Sequence, residues 1–212
     1  NGQTNGKTNG EVYKVKPGNS KYVDINKDGV YNDADQGIIG CGQPTFNWGW
    51  NNTFNYKNFD FSFFVVGFHG FDIYNATHQM GYNLIKSQQV AGVTPMRELL
   101  NRWTPTNTNT NIPGFVNGGT ENKDFFSTRF VENGSFIKMK SITLGYTLPE
   151  TACRALGITN LRVYASVQNP FHITNYSGLD PEATMGSPLV QGVDWGSYPN
   201  SRNYLIGLNF SF

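Results

Sequence analysis

Along much of the chain, large apolar residues and small polar ones alternate one for one. In residues 44–57, PTFNWGWNNTFNYK, one parity holds Phe46, Trp48, Trp50, Phe54 and Tyr56, with Asn52 the exception. The other parity holds Asn47, Gly49, Asn51, Thr53 and Asn55. A period of two is that of a β-strand, whose side chains point to opposite faces in turn. The next run, NFDFSFFVVGFHG, sets Phe59, Phe61, Phe63 and Val65 against Asp60 and Ser62, and its second half is apolar on both faces. Residues 135–148, SFIKMKSITLGYTL, set Ile142, Leu144, Tyr146 and Leu148 against Ser141, Thr143, Gly145 and Thr147. The first half of that segment is less regular, because Lys138 and Lys140 share parity with the apolar set. Residues 160–169 set Leu161, Val163, Ala165 and Val167 against Arg162, Tyr164, Ser166 and Gln168. Residues 203–212 set Tyr204, Ile206, Leu208, Phe210 and Phe212 against Asn203, Gly207, Asn209 and Ser211. Strands of about ten residues span a bilayer when tilted, and these segments have that length. A greasy face opposite small polar groups suits lipid on one side and water on the other.

The connections sort by length. Almost nothing separates Tyr56 from Phe59, and a short turn with Pro149 and Gly157 joins Leu148 to Leu161. The alternate connections, residues 16–43, 70–127 and 171–202, are long. Short and long connections alternate in outer-membrane barrels, with tight periplasmic turns and long outer loops. If the C-terminus ends in the periplasm, the long loops all lie outside the cell. Residues 11–15 (EVYKV) and 128–132 (TRFVE) are candidates for two further strands, making five to seven. A closed barrel needs about eight, and an open set would leave two unpaired edges and a bare apolar face. The sequence is therefore expected to be one part of a larger barrel, entered midway through a polar loop.

Composition agrees with this reading. Aromatic residues make up 15% and charged residues also only 15%, against roughly 25% charged in soluble domains. Net charge is +1 without a basic stripe, so nucleic acid is not an expected partner. No run of about 18 apolar residues offers a transmembrane helix, and a barrel would leave none either. Cys41 and Cys153 fit neither a disulfide framework nor a common metal spacing and are read as two separate thiols.

The long loops carry the candidate chemistry. Residues 24–35 read DINKDGVYNDAD. Numbered as a calcium loop, Asp24, Asn26 and Asp28 take positions one, three and five, and Gly29 takes the sharp turn. Val30 offers its carbonyl, Asn32 takes position nine and Asp35 position twelve, where a bidentate Glu is usual. A metal-free Asp/Asn/Gly-rich turn is the competing reading. The 70–127 loop is expected to hold short helices around 76–85 and 94–103, the second opened by Pro95 with Thr94 as its cap. Trp103, Phe115, Phe125 and Phe126, with Tyr176, Trp195 and Tyr198 in the last loop, are candidates to stack on a solute. Packing within the loops is the alternative for each. His69, His78 and His172 have no metal-ligand spacing, and no nucleophile elbow, phosphate loop or paired-carboxylate signature occurs, so an enzyme is not expected.

Taken in order, residues 24–40, 44–75, 101–113, 127–149, 156–182 and 196–212 resemble the C-terminal part of the SusC/RagA family of TonB-dependent transporters of Bacteroidota. The resemblance covers nearly the whole chain. It implies a 22-stranded barrel in the outer membrane of a Gram-negative bacterium, plugged by an N-terminal domain and energised through TonB. It also implies a SusD-like surface lipoprotein as a lid and a glycan or peptide as solute. The terminal Phe212, with Tyr204 on the same face, resembles the signal read by the barrel-assembly machinery. The expected fold is all-β: an antiparallel transmembrane β-barrel segment with long extracellular loops containing short helices. The rival reading is a soluble calcium-dependent carbohydrate-binding β-module, a sandwich using Asp24 to Asp35.

Overall fold

The computed structural model describes residues 4–8, 11–14, 17–20, 22–31, 33–82, 95–114, 126–155, 157–182 and 191–212. The strands in chain order are β1 (Thr4–Thr8), β2 (Glu11–Lys14), β3 (Val30–Tyr31), β4 (Phe46–Tyr56), β5 (Phe59–His69) and β6 (Asp72–Asn75). They continue as β7 (Val131–Asn133), β8 (Phe136–Thr147), β9 (Asn160–Gln168), β10 (His172–Thr174), β11 (Val193–Asp194) and β12 (Asn203–Ser211). Two short α-helices, α1 (Ala76–Tyr82) and α2 (Glu150–Ala155), accompany them. Among the described residues no helix is long and apolar enough to cross a membrane, which says nothing of strands.

The chain divides into two compact units, Cys41–Tyr74 with Glu132–Phe212, and Asn1–Gly40 with Asn75–Val131. In the first unit the long strands pair antiparallel in the order β4-β5-β8-β9-β12, a simple meander. Its register places the apolar parities together. Phe54 faces Phe61, which faces Leu144, then Ala165, then Ile206. On the opposite face Asn55 meets Asp60, then Gly145, then Tyr164, then Gly207. Among the described residues nothing covers the apolar face, with Ile206 85% and Tyr204 71% exposed. A sandwich would cover such a face with a second sheet, so the soluble-module reading loses its main structural requirement.

Both short connections lie at one end of this sheet. Lys57, at φ 53°, turns β4 into β5, and Asn58 ties that turn to β8 through Nδ2–H to the Thr147 carbonyl at 2.8 Å. Between β8 and β9 the chain forms α2 rather than a bare turn. Gly157 ends it at φ 70°, and the Ile158 amide donates back to the Cys153 carbonyl, the usual glycine C-cap arrangement. The connections 70–135 and 169–202 leave the other end, where Phe46 pairs with His69, Phe68 with Phe136 and Gln168 with Asn203. The segregation expected of a barrel is present.

The irregular parity of β8 has a structural cause. Phe64 pairs with Ser141, but Val65 pairs with Met139, so Lys140 is an extra residue, a β-bulge. The bulge returns Met139 and Ile137 to the apolar face and leaves Lys138 on the polar one. Beyond Gln168, Asn169 turns at φ 49° and donates to the Lys140 carbonyl, after which β10 resumes pairing with β8. β9 and β10 are thus one strand broken at the bulge. On the polar face Asp60 and Arg162 form a two-pronged ion pair, at 2.9 and 2.5 Å, across the intervening β8. Gly145 lies beneath the pair, where a Cβ would come within 2.6 Å of three of its atoms. A small apolar core of Phe71, Ile73, Phe136 and Tyr176, with Phe68 against it, fills the polar side at the loop-bearing end.

The two additional strand candidates lie outside the meander. Residues 11–14 are a strand, but they pair with β1 in a separate three-stranded sheet, β2-β1-β3. Residues 128–130 are a 3-10 turn, and Val131–Asn133 joins β11 and β6 in a third sheet. The meander therefore contains five long strands.

In the second unit α1 begins where Asn75 Oδ1 accepts the His78 amide at 2.8 Å, a side-chain N-cap. The second expected helix is a 3-10 segment, Arg97–Asn101, that starts after Met96 without a side-chain cap. The proposed cap, Thr94, lies outside the described residues. Both cysteines are free, Cys41 exposed and Cys153 buried.

Candidate functional site

Three groups of residues carry polar or aromatic chemistry at loop positions. The first is the 24–35 loop. Asp24 accepts the Asp28 amide through Oδ1 at 3.2 Å and the Gly29 amide through Oδ2 at 2.8 Å. Asn26 Oδ1 accepts the same Asp28 amide, and its Nδ2 donates to Asp28 Oδ2 at 3.0 Å. These three side chains are gathered inside one turn, with Gly29 at φ 81°. Asp35, buried at 6% exposure, reaches back ten residues to the Ile25 amide at 2.8 Å. Val30 belongs to β3, and Asn32 lies outside the described residues. The donors are hard oxygen atoms, as calcium requires. The Asp35 carboxylate, however, is turned toward the loop's own amides. No group of three or more His, Cys, Asp or Glu arranged for a metal occurs among the described residues.

The second group is the aromatic set. Trp103 is half-buried: its ring lies on Gly18 and Gly114, and the Gly114 amide donates to the Gly18 carbonyl at 2.7 Å. A Cβ at Gly18 would sit 2.4 Å from the indole, so this tryptophan closes a glycine contact. Tyr176 is a core residue, with its hydroxyl donating to Asp194 Oδ2 at 2.6 Å. Burial first, then the neighbouring Asp194 carboxylate, pushes its pKa above the usual tyrosine range. The Tyr176 ring is buried in that core, whereas Trp103 is half-buried, with one side of its ring on glycine. Trp195 and Tyr198 are exposed, at 45% and 90%. Phe126 is exposed as well, and Phe115 and Phe125 lie outside the described residues.

The third group is an ion cluster that sequence reading did not single out. Lys138 Nζ, on the polar face of β8, donates to Asp180 Oδ2 at 2.9 Å and to Glu182 Oε2 at 2.8 Å. The Lys138 and Asp180 side chains are each 3% exposed. Lys140, delivered to the same side by the bulge, pairs with Glu182 Oε1. Asn200 donates its amide to Asp180 at 3.1 Å and its Nδ2 to Asp180 and Glu182. Burial opposes the charge on both carboxyls, but the lysines beside them hold both pKa values below the ordinary carboxylate range. Removing one partner of a buried pair costs about 3–5 kcal/mol, so this cluster fastens Asp180, Glu182 and Asn200 to the sheet. The available signal was the two lysines on an apolar parity. Such a violation on a well-formed strand marks either a bulge or a buried counter-charge, and here it marks both.

No family model matches the chain. It is 35% identical over 202 residues to the TonB-dependent receptor P3 of Formosa agariphila, covering 92% of this chain and 19% of that protein. It is 30% identical to the TonB-dependent receptor SusC of Bacteroides thetaiotaomicron, covering 93% of this chain and 18% of that protein. Among solved structures it resembles the RagAB peptide importer in its closed-closed state, with a TM-score of 0.70 and 25% identity, over 95% of this chain and 21% of that one. The RagAB peptide transporter gives a TM-score of 0.67 at 26% identity, over 80% of this chain and 17% of that one. The chain spans about a fifth of the length of these proteins. They are receptors and transporters, not enzymes.

Proposed function

Because the chain belongs to the SusC/RagA family of TonB-dependent receptors, we propose that it forms part of an outer-membrane nutrient importer. The observation that carries this reading is the five-stranded meander with one bare apolar face, one polar face and its long connections at one end. In this reading the apolar face meets lipid, the polar face lines the solute passage, and the long connections open outside the cell. The solute is a glycan or a peptide. Trp195 and Tyr198 meet it or the lid, a SusD-like lipoprotein, and TonB acts through the rest of the receptor. The work performed is binding and passage, without covalent chemistry.

The test is extraction of the full-length receptor in detergent, with partner chains and retained small molecules identified by mass spectrometry. A membrane-bound species retaining oligosaccharides or peptides alongside a lipoprotein is expected. A form that is fully soluble without detergent and retains no solute would overturn the reading.

We further propose that the 24–35 loop holds a calcium ion through Asp24, Asn26, Asp28, the Val30 carbonyl, Asn32 and Asp35. The gathering of Asp24, Asn26 and Asp28 in one turn supports it. Terbium luminescence of the full receptor should rise on titration and be lost, along with calcium competition, in the Asp24→Asn, Asp28→Asn variant. Equal luminescence in the two proteins would dismiss the site.

A further inference from the structure

We propose that Lys138 and Lys140 are positioning residues for solute binding, holding the segment that displays Trp195 and Tyr198. The proposal rests on the import reading above and adds to it the device that fixes the binding surface. That segment is anchored on both sides of Tyr198. Before it, Asp194 Oδ1 accepts the Gly196 and Ser197 amides at 2.8 and 3.1 Å, while its Oδ2 accepts the buried Tyr176 hydroxyl. After it, Asn200 is bound through backbone and side chain to Asp180, and Asp180 is bound to Lys138. Trp195 and Tyr198 remain exposed, although the chain on either side of them is fastened to buried groups.

The bulge explains how two cations come to serve this purpose. In a regular strand, residues two apart share a face, so Lys138 and Lys140 would both lie with Ile142 and Leu144 on the apolar side. The extra residue places Lys140 on the lumen side while Ile137, Met139 and Ile142 keep the apolar face. Two lysines then neutralise Asp180 and Glu182. The Glu182 amide donates to Asp180 Oδ1 at 3.0 Å and fixes the spacing of the two carboxylates. Backbone that is already ordered under the aromatic pair lowers the ordering cost that binding would otherwise carry. A rigid scaffold under an exposed aromatic pair is thus a device for affinity as well as for stability.

The experiment uses the full-length receptor in detergent and the variants Lys138→Met, Lys140→Met, Lys138→Met with Asp180→Asn, and Trp195→Ala with Tyr198→Ala. Amide exchange is followed across 193–200 and, as an internal reference, across 160–168 and 203–211. Retention is measured with an oligosaccharide pool from hydrolysed starch and a peptide pool from digested casein. In Lys138→Met, exchange across 193–200 should accelerate roughly a hundredfold while the reference strands hold, given the cost of a buried unpaired charge. The neutralised double variant and Lys140→Met should each show a smaller acceleration, which covers the case in which Lys138→Met does not fold. Retention should fall in the lysine variants as it falls in the aromatic variant. Unchanged exchange across 193–200 would overturn the proposal. So would faster exchange with retention intact, provided the aromatic variant loses it. Full retention in the aromatic variant would instead remove the assigned solute surface, and the exchange data would still report separately on the clamp.

Discussion

The five-stranded meander and the described parts of the last connection, residues 171–182 and 191–202, are held by different kinds of interaction. Apart from the Asp60–Arg162 pair with Gly145 beneath it and the lysines at the bulge, the meander is held by its hydrogen-bond ladder and by one face being apolar and the other polar. In the connection the interactions are individual: Lys138 with Asp180, Tyr176 with Asp194, Asn200 with Asp180 and Glu182. At most positions the strands should tolerate loss of a side chain but not a reversal of polarity. The connection tolerates changes of polarity at its exposed positions but not loss of one buried partner. This difference fits the proposed work, in which a generic wall crosses the membrane and specific anchoring shapes the mouth.

The largest test of the comparison is a reversal of polarity in mid-strand. Ile142 lies on the apolar face, in register with Phe63 and Val167, and Thr143 lies beside it on the polar face. Ile142→Arg should destabilise the folded receptor by about 2–4 kcal/mol, the cost of a guanidinium facing lipid near the bilayer midplane. Thr143→Arg should cost under about 1 kcal/mol, because that face is wet. Urea unfolding of the refolded receptor in lipid vesicles measures both. Equal costs would mean that the two faces do not meet different solvents.

That difference also explains what could be read from the sequence. Period-two patterning is repeated along each strand, so the bounds of β4, β5, β8, β9 and β12 were legible, as was the sorting of short and long connections. The parity break at Lys138 and Lys140 was legible as a break, but its bulge depends on β5 across the sheet, which local periodicity does not contain. The partners of Lys138 lie 42 and 44 residues away, and no pattern within one strand points to them. Trp103 and Tyr176 illustrate the same limit: composition marks an aromatic residue in a loop, and only the fold shows that one rests on glycine and the other lies in a core. The gathering of Asp24, Asn26 and Asp28 was legible because a turn of six residues brings together what lies close in sequence.

Acid should distinguish the two regions with a smaller effect. Asp180 and Glu182 titrate lower in the folded loop than the ordinary 3.8 and 4.5 of free side chains. A depressed folded pKa contributes stability that is present above the unfolded value and is lost as pH falls through the folded one. The anchoring of 193–200 should therefore hold at neutral pH and weaken below about pH 4, as the two carboxyls take up protons and release Lys138 and Lys140. Ladder hydrogen bonds do not titrate, so strand content should persist over the same range. Pepsin, stepped down from about pH 5, should cut within 193–200 increasingly beyond its own activity profile, with far-UV circular dichroism unchanged. The Asp180→Asn, Glu182→Gln variant, already without the charges, should follow the protease profile alone. If wild type and variant are cut in parallel, the loop owes its fixation to Tyr176 and the apolar core beneath it, and the ion cluster is incidental to it.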